Sequence, residues 1–141
     1  MRLRVGKVTN IYPALGKVKV LYEDEQNTSR PLSMLTMNNE YSMPPVGARV
    51  LTVHMENGSS KGFVLGTYYG GSMQPKAGAG YRKDFGDGSY VTCQGGEYLL
   101  RAKNITIQAE SITLSSSQGE ITLEDLIKRL DDMEQKLESI G

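Results

Sequence analysis

The sequence holds no tryptophan, two phenylalanines and a single cysteine, and its 16 basic residues are cancelled by 16 acidic ones. With Cys93 alone, an intrachain disulfide is excluded. A formal charge of zero argues against a general electrostatic grip on nucleic acid, which needs an excess of Lys and Arg. Apolar residues make up 38% of the 141 positions, a low share for a domain of this length. A short chain so composed has difficulty burying enough surface by itself, which tilts the expectation towards self-association. Long apolar runs are also missing. No stretch approaches the roughly 20 residues of a membrane helix, and Met1-Arg2-Leu3-Arg4-Val5-Gly6 has no apolar signal core behind it. The expectation is a protein made in the cytoplasm without an export signal of its own.

Glycine, at 16 residues, is abundant, which suggests many turns and close backbone approaches. Charge is unevenly spread. Arg2, Arg4, Lys7, Lys17 and Lys19 precede the first acid, whereas the chain from Glu120 onward is net acidic. Such asymmetry hints that the two ends meet different surroundings.

Four segments follow from the pattern. Residues 1–69 read as a small barrel of four or five short strands. Leu3 to Ile11 is the first, with Leu3, Val5 and Ile11 as the apolar residues of its alternation, and Lys17 to Tyr22 alternates cleanly as a half-buried strand. Glu23 to Ser29 is a polar loop, and Arg30 to Met43 is less regular. Ala48 to His54 is another strand, Asn57-Gly58 signals a turn, and Lys61 to Gly66 returns. Residues 70–80, rich in Gly, Ala, Ser and Pro, read as a linker.

Residues 81–121 carry a recurring triplet: Ile105-Thr106-Ile107, Ile112-Thr113-Leu114, and then Ile121-Thr122-Leu123 running into the last segment. Each places two aliphatic side chains on one face of a strand and Thr on the other. The spacers between them are polar and cannot supply a second layer. A single sheet of this kind would leave its apolar face wet, so other copies of the chain are expected to cover it.

Residues 122–141 read as a helix. Thr122 with Asp125 has the form of a capping box. Leu123, Leu130 and Leu137 fall on one heptad position, and Leu126, Met133 and Ile140 on the other core position. Glu124–Lys128, Asp125–Arg129 and Asp132–Lys136 are acid-before-base pairs worth about 0.2–0.5 kcal/mol each. Arg129 and Glu134 flank the seam where parallel, in-register helices pair charges. A helix this short is marginal alone, so it depends on the β segment to align copies.

Taken together, a small barrel carrying Pro45-Val46-Gly47-Ala48-Arg49-Val50 and Gly62-Phe63-Val64-Leu65-Gly66, then Phe85-Gly86-Asp87-Gly88-Ser89-Tyr90 and the Ile-Thr-Ile triplets, resembles the baseplate assembly protein V family. These are central spikes of contractile phage tails, related to spikes of type VI secretion and tailocins. The resemblance spans Leu3 to Ile121. It implies a mainly β chain: an N-terminal oligosaccharide/oligonucleotide-binding (OB) barrel, an intertwined trimeric β-helix or β-prism, and here a short C-terminal coiled-coil helix. It implies a homotrimer whose core includes Ile105, Ile107, Ile112, Leu114 and Ile121, seated by its barrel on a baseplate hub in the virion tail or a tail-like particle. The spike leads into the target cell envelope without catalysis or cofactor. Two features depart from the family. Many family spikes end in a His-x-His apex holding a metal ion, whereas the only histidine here is His54, so no metal site is expected. The heptad helix stands in place of that apex, as a bundle or as a socket for a separate tip protein. The linker also leaves no room for the lysozyme domain some spikes carry.

Other chemistry reads weakly. His54 closes a strand with no second His or acidic pair beside it, and Cys93, two residues from Val91, reads as a buried small apolar residue. Asp84-Phe85-Gly86 matches the kinase triplet without any other kinase signature, and its Asp spacing only loosely follows a calcium loop, so it reads as a turn. The main rival is an oligomeric single-stranded nucleic-acid-binding OB protein, with Tyr12, Tyr22 and Tyr41 stacking bases beside a basic first hairpin. A cell-wall hydrolase would need a carboxylate pair in a cleft, which nothing in the pattern marks.

Overall fold

A computed structural model describes residues 1–55, 61–71, 73–76, 78 and 80–140. The Asn57-Gly58 turn lies outside the described residues. The chain forms two compact units, Met1–Arg101 and Ala102–Gly141.

The first unit begins with a closed five-stranded barrel. Its strands are β1 (Arg2–Tyr12), β2 (Lys17–Tyr22), β4 (Leu32–Met34), β5 (Arg49–His54) and β6 (Gly62–Thr67), with the two-residue β3 (Asn27–Thr28) added to β2. The order is β1-β5-β6-β4-β2, and β1 pairs again with β2 to close the ring. Every pairing is antiparallel except β4 with β6. This arrangement is compatible with the OB barrel that the resemblance implies. A 3₁₀ turn, Pro13–Leu15, joins β1 to β2 and ends at Gly16, whose φ of 63° is the left-handed conformation glycine tolerates best.

Alternation decides what enters the core. Val18, Val20 and Tyr22 point inward from β2, as their spacing predicts. Val50 and Thr52 do so from β5, Val64 from β6 and Leu32 from β4. Each fully buried aliphatic side chain contributes about 1.5–3 kcal/mol. The inward residues of β1 are Gly6 and Val8, whereas Leu3 and Val5 lie outside, 62% and 59% exposed. A register shift between Val8 and Asn10 bends the strand beyond that point. The irregular stretch after Arg30 hides β4, short because it carries one inward residue, Leu32, between loops.

Gly6 is where β1 crosses closest to β2. A Cβ there would lie 2.4 Å from Val20 Cγ1 and 2.8 Å from the Leu21 carbonyl oxygen. Since the second contact is backbone, Gly6→Ala is expected to cost about 1–3 kcal/mol. Chemical denaturation of the variant, followed by circular dichroism, checks this. An unchanged midpoint would mean β1 and β2 separate freely.

Beyond the barrel, β7 (Tyr81–Asp84), β8 (Tyr90–Gln94) and β9 (Glu97–Arg101) form an antiparallel meander. All five residues of β9 are exposed. Cys93 is exposed as well, which corrects the expectation of a buried thiol. Its cross-strand neighbours are Tyr81 and Tyr98, both exposed.

In the second unit, β10 (Thr113–Ser116) and β11 (Gly119–Thr122) form a hairpin, and α1 (Leu123–Ile140) follows at once. The second and third triplets therefore pair with each other: Leu114 faces Ile121 and Thr113 faces Thr122. The first triplet, Ile105-Thr106-Ile107, joins no strand among the described residues. Among the described residues no prism or wound β-helix is seen.

Candidate functional site

The second unit concentrates unpartnered apolar surface. Ile105 and Ile107 are 54% and 70% exposed, and Leu114 is 57% exposed. Ile112 and Ile121 are half-buried. Residues 102–111 take part in no strand, and no backbone hydrogen bond joins them to another element among the described residues. Ile112 carries the first such link, its carbonyl accepting from Leu123 N–H at 2.7 Å. Some ten residues of backbone donors and acceptors thus depend on water or on another chain.

The start of α1 is well defined. Thr122 Oγ1 accepts from Asp125 N–H at 3.2 Å, the forward half of the expected capping box. Glu124 and Asp125 lie in the first turn, where the helix dipole favours acids. No residue of the helix is buried. Leu123 and Leu126, next to the hairpin, are half-buried, while Leu130, Met133, Leu137 and Ile140 rise from 56% to 82% exposed towards the end. Ile127, also exposed, widens the apolar seam on the side of Leu126 and Leu130. Beside the hairpin an open cleft of about 450 Å³ is lined by Leu114, Ser116, Ile121 and Arg129. All candidate core and coiled-coil positions thus lie in this one unit, and most of them are exposed among the described residues.

The barrel holds a different cluster. Tyr22 hydroxyl lies 2.8 Å from Thr52 Oγ1 and 2.5 Å from His54 Nε2. The Arg4 guanidinium sits 3.6 Å above the Tyr22 ring and pairs with Asp24 and Glu25, each at 3.2 Å. Burial pushes the Tyr22 phenol above its ordinary pKa, partly opposed by the Thr52 hydrogen bond and the Arg4 charge. His54, at the end of β5, is buried and engaged with Tyr22. This cluster knits barrel strands together, and Tyr22 cannot stack a base while it is 1% exposed. In the basic first hairpin Arg2 pairs with Glu25 and Lys7 with Glu23, which also pairs with Arg49 of β5.

Asp84-Phe85-Gly86-Asp87-Gly88 is a turn between β7 and β8, closed by Phe85 N–H donating to the Ser89 carbonyl at 3.1 Å. Arg82 grips Asp84 through two hydrogen bonds of 3.0 Å, and Ser89 donates to Asp87 from its backbone and its hydroxyl. Both carboxyls are thereby held below the ordinary aspartate range, Asp84 chiefly by Arg82 and Asp87 chiefly by Ser89. Among the described residues no three His, Cys, Asp or Glu side chains gather as metal ligands do. Nor is any described helix long and apolar enough to cross a membrane. No family model matches the chain, and no curated protein matches it.

Proposed function

We propose that the chain is a structural protein, the homotrimeric central spike of a contractile phage tail or a tail-like injection particle. The observation that carries this reading is the set of exposed aliphatic residues between Ile105 and Ile140, together with residues 102–111, which among the described residues join no strand and make no backbone hydrogen bond to another element. A folded chain that leaves both its apolar side chains and its main-chain groups unsatisfied along one continuous run is built to be completed by copies of itself. Three runs side by side would bury the aliphatic residues on a common axis and pair the main chains between copies. The heptad helix, with Arg129 and Glu134 at its flanks, would continue that axis. A shaft closed in this way has no sheet edge to fray, which suits an element that leads a contracting sheath into an envelope. The barrel end seats on the baseplate hub, and the helix end forms the tip or receives a separate tip protein. No step of this work needs catalysis.

Light scattering after size exclusion tests the reading. The full chain is expected at a mass of three chains, and so is a chain ending at Ile121, because the β segment as well as the helix joins the copies. A monomer, or an oligomer lost entirely with the helix, would refute the intertwined shaft.

A further inference from the structure

We propose that three buried side chains of the barrel form a one-way hydrogen-bond chain, running from His54 through Tyr22 and Thr52 to the Arg4 carbonyl, and that His54 therefore carries a proton on Nε2. The chain lies wholly within one barrel and stands apart from how copies associate. His54 Nε2 lies 2.5 Å from the Tyr22 hydroxyl, which lies 2.8 Å from Thr52 Oγ1, which lies 3.3 Å from the Arg4 carbonyl oxygen. Each of these hydrogen bonds needs a proton between its two heavy atoms. A carbonyl only accepts, and each hydroxyl owns a single proton. The three bonds thus require three protons, of which the two hydroxyls supply two. The third belongs to the imidazole. Thr52 gives its proton to Arg4 and receives that of Tyr22, and the Tyr22 oxygen accepts from Nε2–H. In the opposite direction Thr52 would donate to Tyr22 and Tyr22 to Nε2, and the Arg4 carbonyl would receive nothing from Thr52.

The surroundings favour this direction. The Arg4 guanidinium sits 3.6 Å above the Tyr22 ring. A cation there stabilises negative charge on the phenol oxygen, which makes the hydroxyl a stronger donor towards Thr52. Tyr22, Thr52 and His54 are all buried, so bulk water does not compete for their protons and each bond gains from the low local dielectric. The direction has a mechanical consequence. Among the described residues β2 and β5 share no ladder, and each pairs with β1 instead. The chain crosses the barrel interior between them, from His54 and Thr52 on β5 to Tyr22 on β2, and ends on the β1 backbone. His54 acts in it as a positioning residue. By donating to the Tyr22 oxygen it turns the single phenol proton onto Thr52, and so keeps the Thr52 proton for β1. The strands that close the barrel are thereby held by bonds that specify one another.

His54 is the only histidine in the chain, so a long-range proton–nitrogen NMR correlation on isotopically labelled full-length protein reads its ring directly. The native protein is expected to show Nε2 at the shift of a protonated ring nitrogen, without averaging between tautomers. Free histidine also leans towards Nε2–H, so Thr52 provides the deciding comparison. Thr52→Val removes the acceptor of the Tyr22 proton. That proton then turns to Nε2, whose signal is expected to move towards the unprotonated position. Thr52→Ser keeps the hydroxyl and is expected to keep the native shift. A native Nε2 without its proton, or a folded Thr52→Val protein whose Nε2 shift is unchanged, would overturn the one-way chain. Where Thr52→Val does not fold, the native spectrum and Thr52→Ser decide. None of these signals depends on the mass of the assembly, so the spike reading stands or falls separately.

Discussion

Ile107→Asp combined with Ile112→Asp is expected to reduce the protein from three chains to one at neutral pH. In the isolated chain Ile107 is exposed and Ile112 half-buried, so neither aspartate should unfold the barrel or the β7–β9 meander. The cost arises on association. Each copy would bring two carboxylates to a dry axis, and the effective penalty for burying an unpaired ion is several kcal/mol. Repeated in three copies, that outweighs what the aliphatic side chains contributed at about 1.5–3 kcal/mol each. The sign of the pH dependence follows. An aspartate buried in the trimer has its pKa raised above about 3.9. Assembly is therefore penalised at neutral pH and partly restored as the pH falls into the carboxylate range. Lys103→Asp, an exposed polar position in the same segment, is expected to leave the mass unchanged. Light scattering of the three proteins at neutral and acid pH reads all of this. A double aspartate variant that remains a trimer at neutral pH would remove the strip from the interface.

The same positions show what sequence can and cannot convey. Lys17 to Tyr22 was legible because strict alternation around a polar surface leaves one choice of inner face, and Val18, Val20 and Tyr22 take it. Leu3 and Val5 marked one face of β1 without telling which side it turns to. The inward side of their strand carries Arg4, Gly6 and Val8, and alternation identifies two faces without saying which is inside. Gly6 decides it, since only a residue without Cβ passes Val20 and Leu21 so closely. The triplets announced a face that needs cover, but period-two patterning carries no information about partners. Ile112–Leu114 and Ile121–Leu123 found each other across a short turn, whereas Ile105–Ile107 had no complementary segment within reach. Cys93 followed the same rule: its alternation with Val91 places it on one face of β8, but that position is exposed. The helix start was readable from Thr122 and Asp125 because capping is local chemistry. The Tyr22–Thr52–His54 cluster was not, because its members are 30 and 32 residues apart and meet only when the barrel closes.

That closure sets the second large effect. Tyr22→Ala is expected to destabilise the barrel by about 3–5 kcal/mol, the usual cost of truncating a buried aromatic residue. For a domain of this size that lowers the melting temperature by roughly 15–30 °C. The ring fills the space between β2 and β5, and its face is the platform for the Arg4 guanidinium, whose side chain is only 8% exposed. Losing the ring leaves Arg4 with Asp24 and Glu25 but without its apolar support. Tyr22→Phe separates the two contributions. It keeps the ring and the platform and loses only the hydroxyl between Thr52 and His54, and Thr52 retains its hydrogen bond to the Arg4 carbonyl at 3.3 Å. The expected cost is about 1 kcal/mol. Burial also raises the Tyr22 phenol pKa, so the native barrel keeps the full benefit of the neutral phenol below the unfolded value of about 10 and loses it as the pH climbs through the higher folded value. Tyr22→Phe should therefore lose less stability than the native protein across that alkaline window. Thermal melts of the three proteins from neutral to alkaline pH check the order and the slope. The assembled mass at moderate temperature should remain unchanged, because the residues proposed to join copies lie in the other unit. If Tyr22→Ala instead melted within about 1 kcal/mol of the native protein, the barrel would not be organised around this ring.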